Sequence, residues 1–504
     1  MFPGVAGWMD GAQQDELAMQ NDGIASAYPK RAGTNFLLAL GAYFVLQIIL
    51  RTSSPAVLDL DESEQVLAFQ HLQLGYGSQP PLYAWLQWLM FSVFGVNRFA
   101  LSFLKNLLLF GTYLAMFHAA RSLVGITGGI IVAASLVLFP QIGWESQRDL
   151  THSVLMTCMA ALTLWCYFAL LHHPGKMRHA LFGLLIGLGL QSKYNFALFA
   201  LALTMASLLV REHRERLWSR RAWISLAVIA IAVAPHGLWL LNHLDAATRS
   251  TLEKMNGSDA GYIGNVVRGL GSMVSATFLF VTPLWMVYAW VFWRRRAQAE
   301  AKVDDPHARF FLRFYLAAYG GITALVLSGE LTSFKDRWMQ PILFLLPLAC
   351  FVIFPSLARR TVCREILQIA GMFAMIVLVG LSARAYLGKN TRAPYVELSA
   401  TLLHCFPEAK TLIANELTDA GNLYLQNPTR PTMLLSNTLQ QRPDIGGKVL
   451  LIDSDSGQSD WMHKFLRAYP SSAVLERGRL AVGNPQERQG AMSVEYALVA
   501  IRKE

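Results

Sequence analysis

Charge is what this chain has least of. Only 15% of its 504 residues are Asp, Glu, Lys or Arg, and 54% are hydrophobic, whereas charged residues make up about a quarter of an ordinary soluble domain. A water-soluble globular fold is excluded on that count. Cysteine is scarce as well. Of the five, Cys158, Cys166 and Cys350 fall in apolar runs, Cys363 follows Arg359-Arg360 and only Cys405 belongs to the polar tail, so no pair is available on one outer face for an intrachain disulfide. There is no internal repeat and no low-complexity tract. Residues 1–33, with Asp10, Asp15, Glu16 and Asp22, lack the basic start, apolar middle and small-residue cleavage site of a signal peptide. They read as a short, disordered cytoplasmic leader.

What the chain does have is long apolar runs. Crossing a hydrocarbon core of about 30 Å takes about 20 mostly apolar residues, and eleven runs are candidates: 36–50, 99–120, 126–142, 153–171, 179–191, 195–210, 222–241, 274–293, 310–327, 339–354 and 366–381. The fifth and sixth form a nearly continuous stretch. A break at Gln191-Ser192-Lys193-Tyr194-Asn195 keeps Lys193 out of mid-bilayer. It also puts Arg211 to Arg221 on the same side as Lys30-Arg31, Arg121, Lys176, Arg178, Arg294-Arg295-Arg296 and Arg359-Arg360. That side is cytoplasmic by the positive-inside rule. The net charge of +10 is therefore a topology signal, and no nucleic-acid partner is expected. The fold class is a polytopic α-helical membrane protein of about eleven transmembrane helices.

With an odd number of spans, the polar tail and the 57–99 segment share the outer side. Residues 34–383 form the membrane unit, and 57–99 is its first outer loop, with apolar faces at Val66-Leu67 and 82–94 suited to interfacial helices. Residues 384–504 read as a small α/β domain, with strands at 410–414, 432–435, 448–452 and 497–501 and a helix at 459–468.

Four outer elements carry the chemistry: Asp59 to Pro81, Trp144 to Asp149, Gln191 to Tyr194, and Glu330 to Trp338. Carboxylates kept this close to hydrocarbon mark ion pathways, proton relays or catalysis. A carboxylate can take the proton of an attacking hydroxyl while Lys and Arg hold a leaving phosphate, and glycosyl transfer from a lipid phosphate needs both. Each residue also has a plainer role open to it. Asp61 with Glu64 fits a capping box, and Asp149 is placed to cap the fourth span. Lys193 and Lys105 suit snorkelling, Lys335 and Arg337 suit head-group anchoring, and His71, His118, His152 and His236 have no metal-ligand spacing.

In order and placement, these motifs resemble the GT-C superfamily of integral-membrane glycosyltransferases, in the manner of the bacterial protein O-mannosyltransferases and aminoarabinose lipid A transferases (glycosyltransferase families 39 and 83). The resemblance rests on Asp61-Glu62 after the first span, Gly75-Tyr76 followed by Pro80-Pro81-Leu82, Asp149 after the third, Ser192-Lys193 at the fifth, and Lys335, Arg337 and Trp338 followed by Pro341. Trp338 stands where relatives commonly have Tyr. The resemblance implies transfer of one sugar, with inversion, from a polyprenyl-phosphate donor to a periplasmic lipid or glycan acceptor, lipid A or lipopolysaccharide core being favoured over protein. By it, Asp61, Glu62 and Asp149 are catalytic, Lys193, Lys335 and Arg337 bind the donor phosphate, and Tyr76, Gln79, Arg148, Tyr194 and Trp338 bind substrate. It leaves a divalent cation open and implies no other cofactor. It also implies a bacterial inner-membrane location with the site and the C-terminal α/β domain periplasmic. An oligosaccharide ligase or protein O-glycosyltransferase shares the architecture, and a lipid-linked sugar flippase is the rival from another class.

Overall fold

The computed structural model describes residues 30–245, 261–388, 393–454, 460–483 and 492–502; the expected leader lies almost wholly outside them. Seven described helices are long and apolar enough to cross a membrane, or eight if the sharply bent pair Phe196–Leu209 and Arg211–Leu217 is one span. The helix Thr151–His172 is the axis of the bundle, with 83% of its most apolar stretch buried, against 11% for Ala222–Asn242 at the periphery. It packs against Arg98–Ser135 on one side and Lys176–Leu190 on the other.

The longest helical stretch, Arg98–Ser135, is two antiparallel helices. Val124 and Gly125 leave helical geometry, Gly125 at φ 74°. In an unbroken helix residues 117 and 129 are about 18 Å apart, yet a Cβ on Gly129 would lie 2.9 Å from the Phe117 carbonyl oxygen. The chain therefore folds back at Gly125, between the second and third apolar runs. At 191–195 it breaks again, between Lys176–Leu190 and Phe196–Leu209.

The run 274–293 is not one helix. Gly261–Val281 ends before Pro283 and Leu284–Arg295 starts after it. Proline has no N–H to donate and its ring clashes with the preceding turn, and the first helix extends upstream through Asn265 and Arg268, which look too polar for a span. The run 339–354 is likewise divided, into Gln340–Leu343 and Leu346–Ile353.

Beyond the last long helix, Arg360–Leu387, five strands form one sheet in the order β2-β1-β3-β5-β4: Thr432–Leu434, Thr411–Ala414, Gly447–Asp453, Met492–Ile501 and Ser472–Val482. The first three are parallel, with Leu412 opposite Thr432 and Leu450, and β5 runs antiparallel to β3 and β4. Parallel strands covered on both faces need apolar residues on both. Leu412, Ala414, Leu450 and Ile452 meet helices Tyr395–Cys405 and Leu417–Gln426, while Ile413, Val449 and Leu451 meet Leu435–Gln441 and Trp461–Ala468.

This sheet unit is docked on the first loop of the membrane unit. Helix Leu417–Gln426 lies against helix Leu60–Ala68 so closely that a side chain on Gly421 would overlap Ser63. Asn422 accepts from the Leu58 N–H at 2.9 Å and donates to its carbonyl at 3.4 Å, and the Gln70 amide pairs in the same two-way fashion with Thr432 on the edge strand. The helix that carries Asp61 is thereby held from a segment more than 350 residues away in sequence.

Candidate active site

Helix Leu60–Ala68 begins after Asp59, whose extended backbone suits an N-cap but whose side chain caps nothing in its own helix. The capping is crossed between helices. Asp149 Oδ1 accepts the Asp61 N–H at 2.9 Å, and Asp61 Oδ2 accepts the Thr151 N–H at 3.0 Å, in the first turn of Thr151–His172. Between Asp149 and Thr151, Leu150 is turned to φ 63°, a left-handed conformation that costs a non-glycine residue about 1–3 kcal/mol and gathers at functional sites. The two carboxylates are held as neighbours by each other's helix. Burial, reinforced by the charge of Asp61, raises the Asp149 carboxyl to about 6.

Lys193 comes to the same place from the break between Lys176–Leu190 and Phe196–Leu209, donating to Ser153 Oγ at 2.6 Å. Burial lowers its ammonium to about 8, helped by Arg337, while Asp61 and Asp149 oppose the shift. Lys193 is thus within electrostatic reach of Arg337, Asp61 and Asp149, and Asp149 of Asp61. The surrounding loop is fastened at every residue. Gln191 O accepts the Leu82 N–H at 3.1 Å, Ser192 O lies 3.3 Å from His152 Nδ1, and the Tyr194 hydroxyl is 3.2 Å from His236 Nε2. Arg337 sits in the short turn Asp336–Trp338. That turn is tied by Gln141 to Asp336, by Asn195 to the Trp338 carbonyl at 3.4 Å, and by the neighbouring Gln340 to Thr157 at 2.7 Å.

Glu62 faces elsewhere. It is wholly buried between Arg51 and Lys105, the latter at 3.2 Å. Burial disfavours its charged form, but the two cations overcome that and hold the carboxyl down at about 2. Lys105 does not snorkel: it is 2% exposed and also donates to the Arg148 carbonyl at 3.3 Å.

Among the remaining residues, Arg148 binds Glu145 at 3.1 Å and lies 3.9 Å from Asp59, which Arg384 holds at 3.2 Å. Tyr76 closes its own loop, donating to the His71 carbonyl at 3.0 Å and bridging to Gln79 through the backbone around Gly77 at φ 58°. No hydrogen bond among the described residues joins Tyr76 or Gln79 to the acid pair. Lys335 is exposed at the rim, and Trp338 is half-buried beside Phe334.

Two histidines read from sequence as merely satisfied connect these parts. Ser192 O and Leu74 O can only accept, so His152 and His236 each carry the proton on Nδ1. His152 Nε2 then accepts from Gln65, on the helix of Asp61, and His236 Nε2 accepts from Tyr194. No spacing signals either link, because each partner lies on a different element. Among the described residues, no three His, Cys, Asp or Glu side chains gather in a metal-holding group.

A family model described as dolichyl-phosphate-mannose-protein mannosyltransferase matches residues 78–239, a span that holds Asp149 and Lys193 but neither Asp61 nor Arg337. The lipopolysaccharide core galacturonosyltransferase RgtB of Rhizobium johnstonii is 39% identical over 61% of this chain, and the match spans 63% of that relative's length. RgtA of the same organism, also a lipopolysaccharide core galacturonosyltransferase, is 32% identical over 79% of this chain and 81% of its own. The crystal structure of ArnT from Cupriavidus metallidurans bound to undecaprenyl phosphate superposes with a TM-score of 0.55 at 14% identity, covering 92% of this chain and 98% of that one, and so shares the fold. The chain belongs to the lipopolysaccharide core galacturonosyltransferase family, within the GT-C superfamily of integral-membrane glycosyltransferases.

Proposed function

We propose that this protein transfers one hexuronic acid, with inversion, from a polyprenyl-phosphate donor to a hydroxyl of a lipopolysaccharide-type glycolipid. The observation that carries the reading is the convergence of Asp61 and Asp149 with Lys193 and Arg337 from four separate segments. In this mechanism Asp61 accepts the proton of the acceptor hydroxyl as its oxygen bonds to the anomeric carbon. The bond from that carbon to the phosphate oxygen breaks on the opposite face, and the polyprenyl phosphate leaves with its charge held by Lys193 and Arg337, with Lys335 at the rim. Asp149 fixes Asp61 through its backbone and orients the acceptor. Tyr194, steadied by His236, and Trp338 line the donor side. Glu62 acts through position: its contacts suit an anchor for the helix rather than a group at the reacting atoms. Tyr76 and Gln79 shape the neighbouring loop. The uronic acid follows the named activity of RgtA and RgtB.

Eleven crossings accommodate the chain when the Gly125 reversal, Lys176–Leu190, Phe196–Leu209 and the divided 340–353 segment are each counted. In that topology residues 34–383 are the membrane unit of a bacterial inner-membrane enzyme. The acid pair and the 384–504 unit are periplasmic, and the basic segments 211–221 and 294–296 are cytoplasmic.

Mass spectrometry of envelope glycolipids from cells with and without the gene tests this reading. The expected result is loss of one hexuronic acid residue from one glycolipid, restored by the wild-type gene; an unchanged glycolipid profile refutes it.

The site also sets a pH profile. Asp149 must shed its proton to accept from the Asp61 N–H as an anion, and its raised value delays that until about pH 6; Lys193 gives up its charge above about pH 8. A bell-shaped kcat/KM with limbs near those values is expected, since kcat/KM reports the free enzyme. Lys193→Arg should move the alkaline limb upward and leave the acid limb in place. A flat profile from pH 5 to 9 would remove both groups from the essential set.

A further inference from the structure

The helix that carries Asp61, Leu60–Ala68, is nine residues long. Left alone, a helix under about 12–15 residues is marginal in water, so what holds this one comes from its neighbours. Toward the membrane unit it turns Asp61 to Thr151, Glu62 to Lys105 and Gln65 to His152. Toward the sheet unit it turns Ser63, Leu67 and, just past its end, Gln70, the i, i+4, i+7 spacing of one helix face. Ser63 meets Gly421, Leu67 packs into the core around Leu398 and Leu423, and Gln70 is paired with Thr432. The helix is a wedge between the two units.

The sheet unit also fixes where that helix begins. On the way into it, Arg51 donates to the Ala56 and Val57 carbonyls, each at 3.3 Å, and Asn422 takes both backbone groups of Leu58. Asn422 is 1% exposed and uses its whole amide: Oδ1 accepts the Leu58 N–H, while Nδ2 donates to the Leu58 carbonyl and, at 2.8 Å, to the Thr418 carbonyl of its own helix. Leu58 is equally buried and packs with Val66 against Tyr424, two residues beyond Asn422. Asp61 stands three residues after Leu58, less than one helical turn, so its carboxylate moves with that anchor.

We infer that the sheet unit is a clamp on the catalytic base, with Asn422, Gly421 and Gln70 as positioning residues that hold Asp61 against Thr151 and in line with the acceptor hydroxyl. They act through Leu58 and the helix. The inference rests on the transferase reading above. It gives the sheet unit a part in the reaction that needs no contact with substrate. The fit is close enough for a single methyl group to disturb it: a Cβ on Gly421 would lie 2.6 Å from Ser63 Cα, where ordinary contact begins at 3.4 Å, so the two helices must part by most of an ångström.

The test uses the full-length protein in nanodiscs, a radiolabelled polyprenyl-phosphate hexuronic acid, and core glycolipid from cells lacking the gene. The variants are Gly421→Ala and Asn422→Leu, with Gln70→Leu, at the half-buried end of the helix, to decide the matter if either fails to insert. A misplacement of about 1 Å remote from the chemistry costs about 10²-fold in rate. Gly421→Ala and Asn422→Leu should lower kcat by about that factor, and Gln70→Leu by less, with donor and acceptor KM within about twofold of wild type. Combined with Asp61→Asn, each should change the single-turnover rate by less than about twofold, because no base is left to place. An equal loss in both backgrounds is what a merely structural role gives, and it overturns the clamp; so does an unchanged kcat in every variant that inserts. Hydrogen exchange over residues 58–70 reads the clamp without any transfer, and the variants should speed it there and not in Arg98–Ser135. If the wild type transfers no sugar and the variants still loosen 58–70, the transferase reading falls and the restraint on the helix stands. If transfer proceeds and exchange over 58–70 is unchanged in every variant, the clamp falls.

Discussion

Asp61→Asn is expected to lower kcat by about a thousandfold or more while leaving the protein inserted and folded. A positioned general base contributes about 10²–10⁴-fold, and Asn has no basic oxygen with which to take the acceptor's proton. Its amide oxygen can still accept the Thr151 N–H that Asp61 Oδ2 now holds at 3.0 Å, so the crossed cap survives. Asp61→Ala removes base and cap together. It should add a loss of about 0.5–2 kcal/mol in stability, the usual cost of deleting a cap. The comparison separates chemistry from architecture. A catalytic Asp61 gives two inactive variants, of which only Asp61→Ala unfolds earlier. A purely capping Asp61 gives an active Asp61→Asn. The measurements are turnover of a purified polyprenyl-phosphate donor and the thermal unfolding midpoint of each variant in detergent.

The parts of this site that the sequence discloses are those set by position along the spans. Asp61, Asp149, Lys193 and Arg337 each interrupt an apolar run at the end opposite the basic loops, so alternation of the chain across the bilayer is enough to gather them. Partners chosen in three dimensions stay hidden. Local patterns around Asp61 and Asp149 suggest that each caps its own helix, and the structure crosses them, because the bend at Leu150 sets the start of Thr151–His172 against the start of Leu60–Ala68. Asp61 and Glu62 are expected from the sequence to act together; successive residues on a helix point about 100° apart, and in the structure Glu62 turns instead to Arg51 and Lys105. The expected 274–293 span passes over Pro283, where the structure breaks it. Strand β4, Ser472–Val482, is exposed along most of its length and carries Glu476, Arg477 and Arg479, so it lacks the apolar signature by which the other strands are found. The docking of Gly421 on Ser63 leaves no trace in either segment.

Glu62→Gln is expected to be the most destabilising single change at the site. Glu62 is fully buried and carries two cations, Arg51 and the equally buried Lys105. Removing one member of such a group leaves the others as uncompensated buried charge, which costs about 3–5 kcal/mol. The sign in pH follows from its carboxyl being held down at about 2, below the ordinary value. The stabilisation is complete above the unfolded carboxyl's pKa and is lost only as the pH falls through the folded value, so it is intact at neutrality and the variant's deficit is present throughout the physiological range. The predicted outcome is a lower unfolding midpoint and reduced yield for Glu62→Gln, with partial recovery in Glu62→Gln/Lys105→Met, where one of the stranded cations is gone. Activity should follow stability, returning in the double variant to the extent that the fold does. If instead Glu62→Gln keeps the wild-type midpoint and is inactive, and Lys105→Met restores nothing, then Glu62 belongs with Asp61 at the reacting atoms, and the helix Leu60–Ala68 must turn when substrate binds.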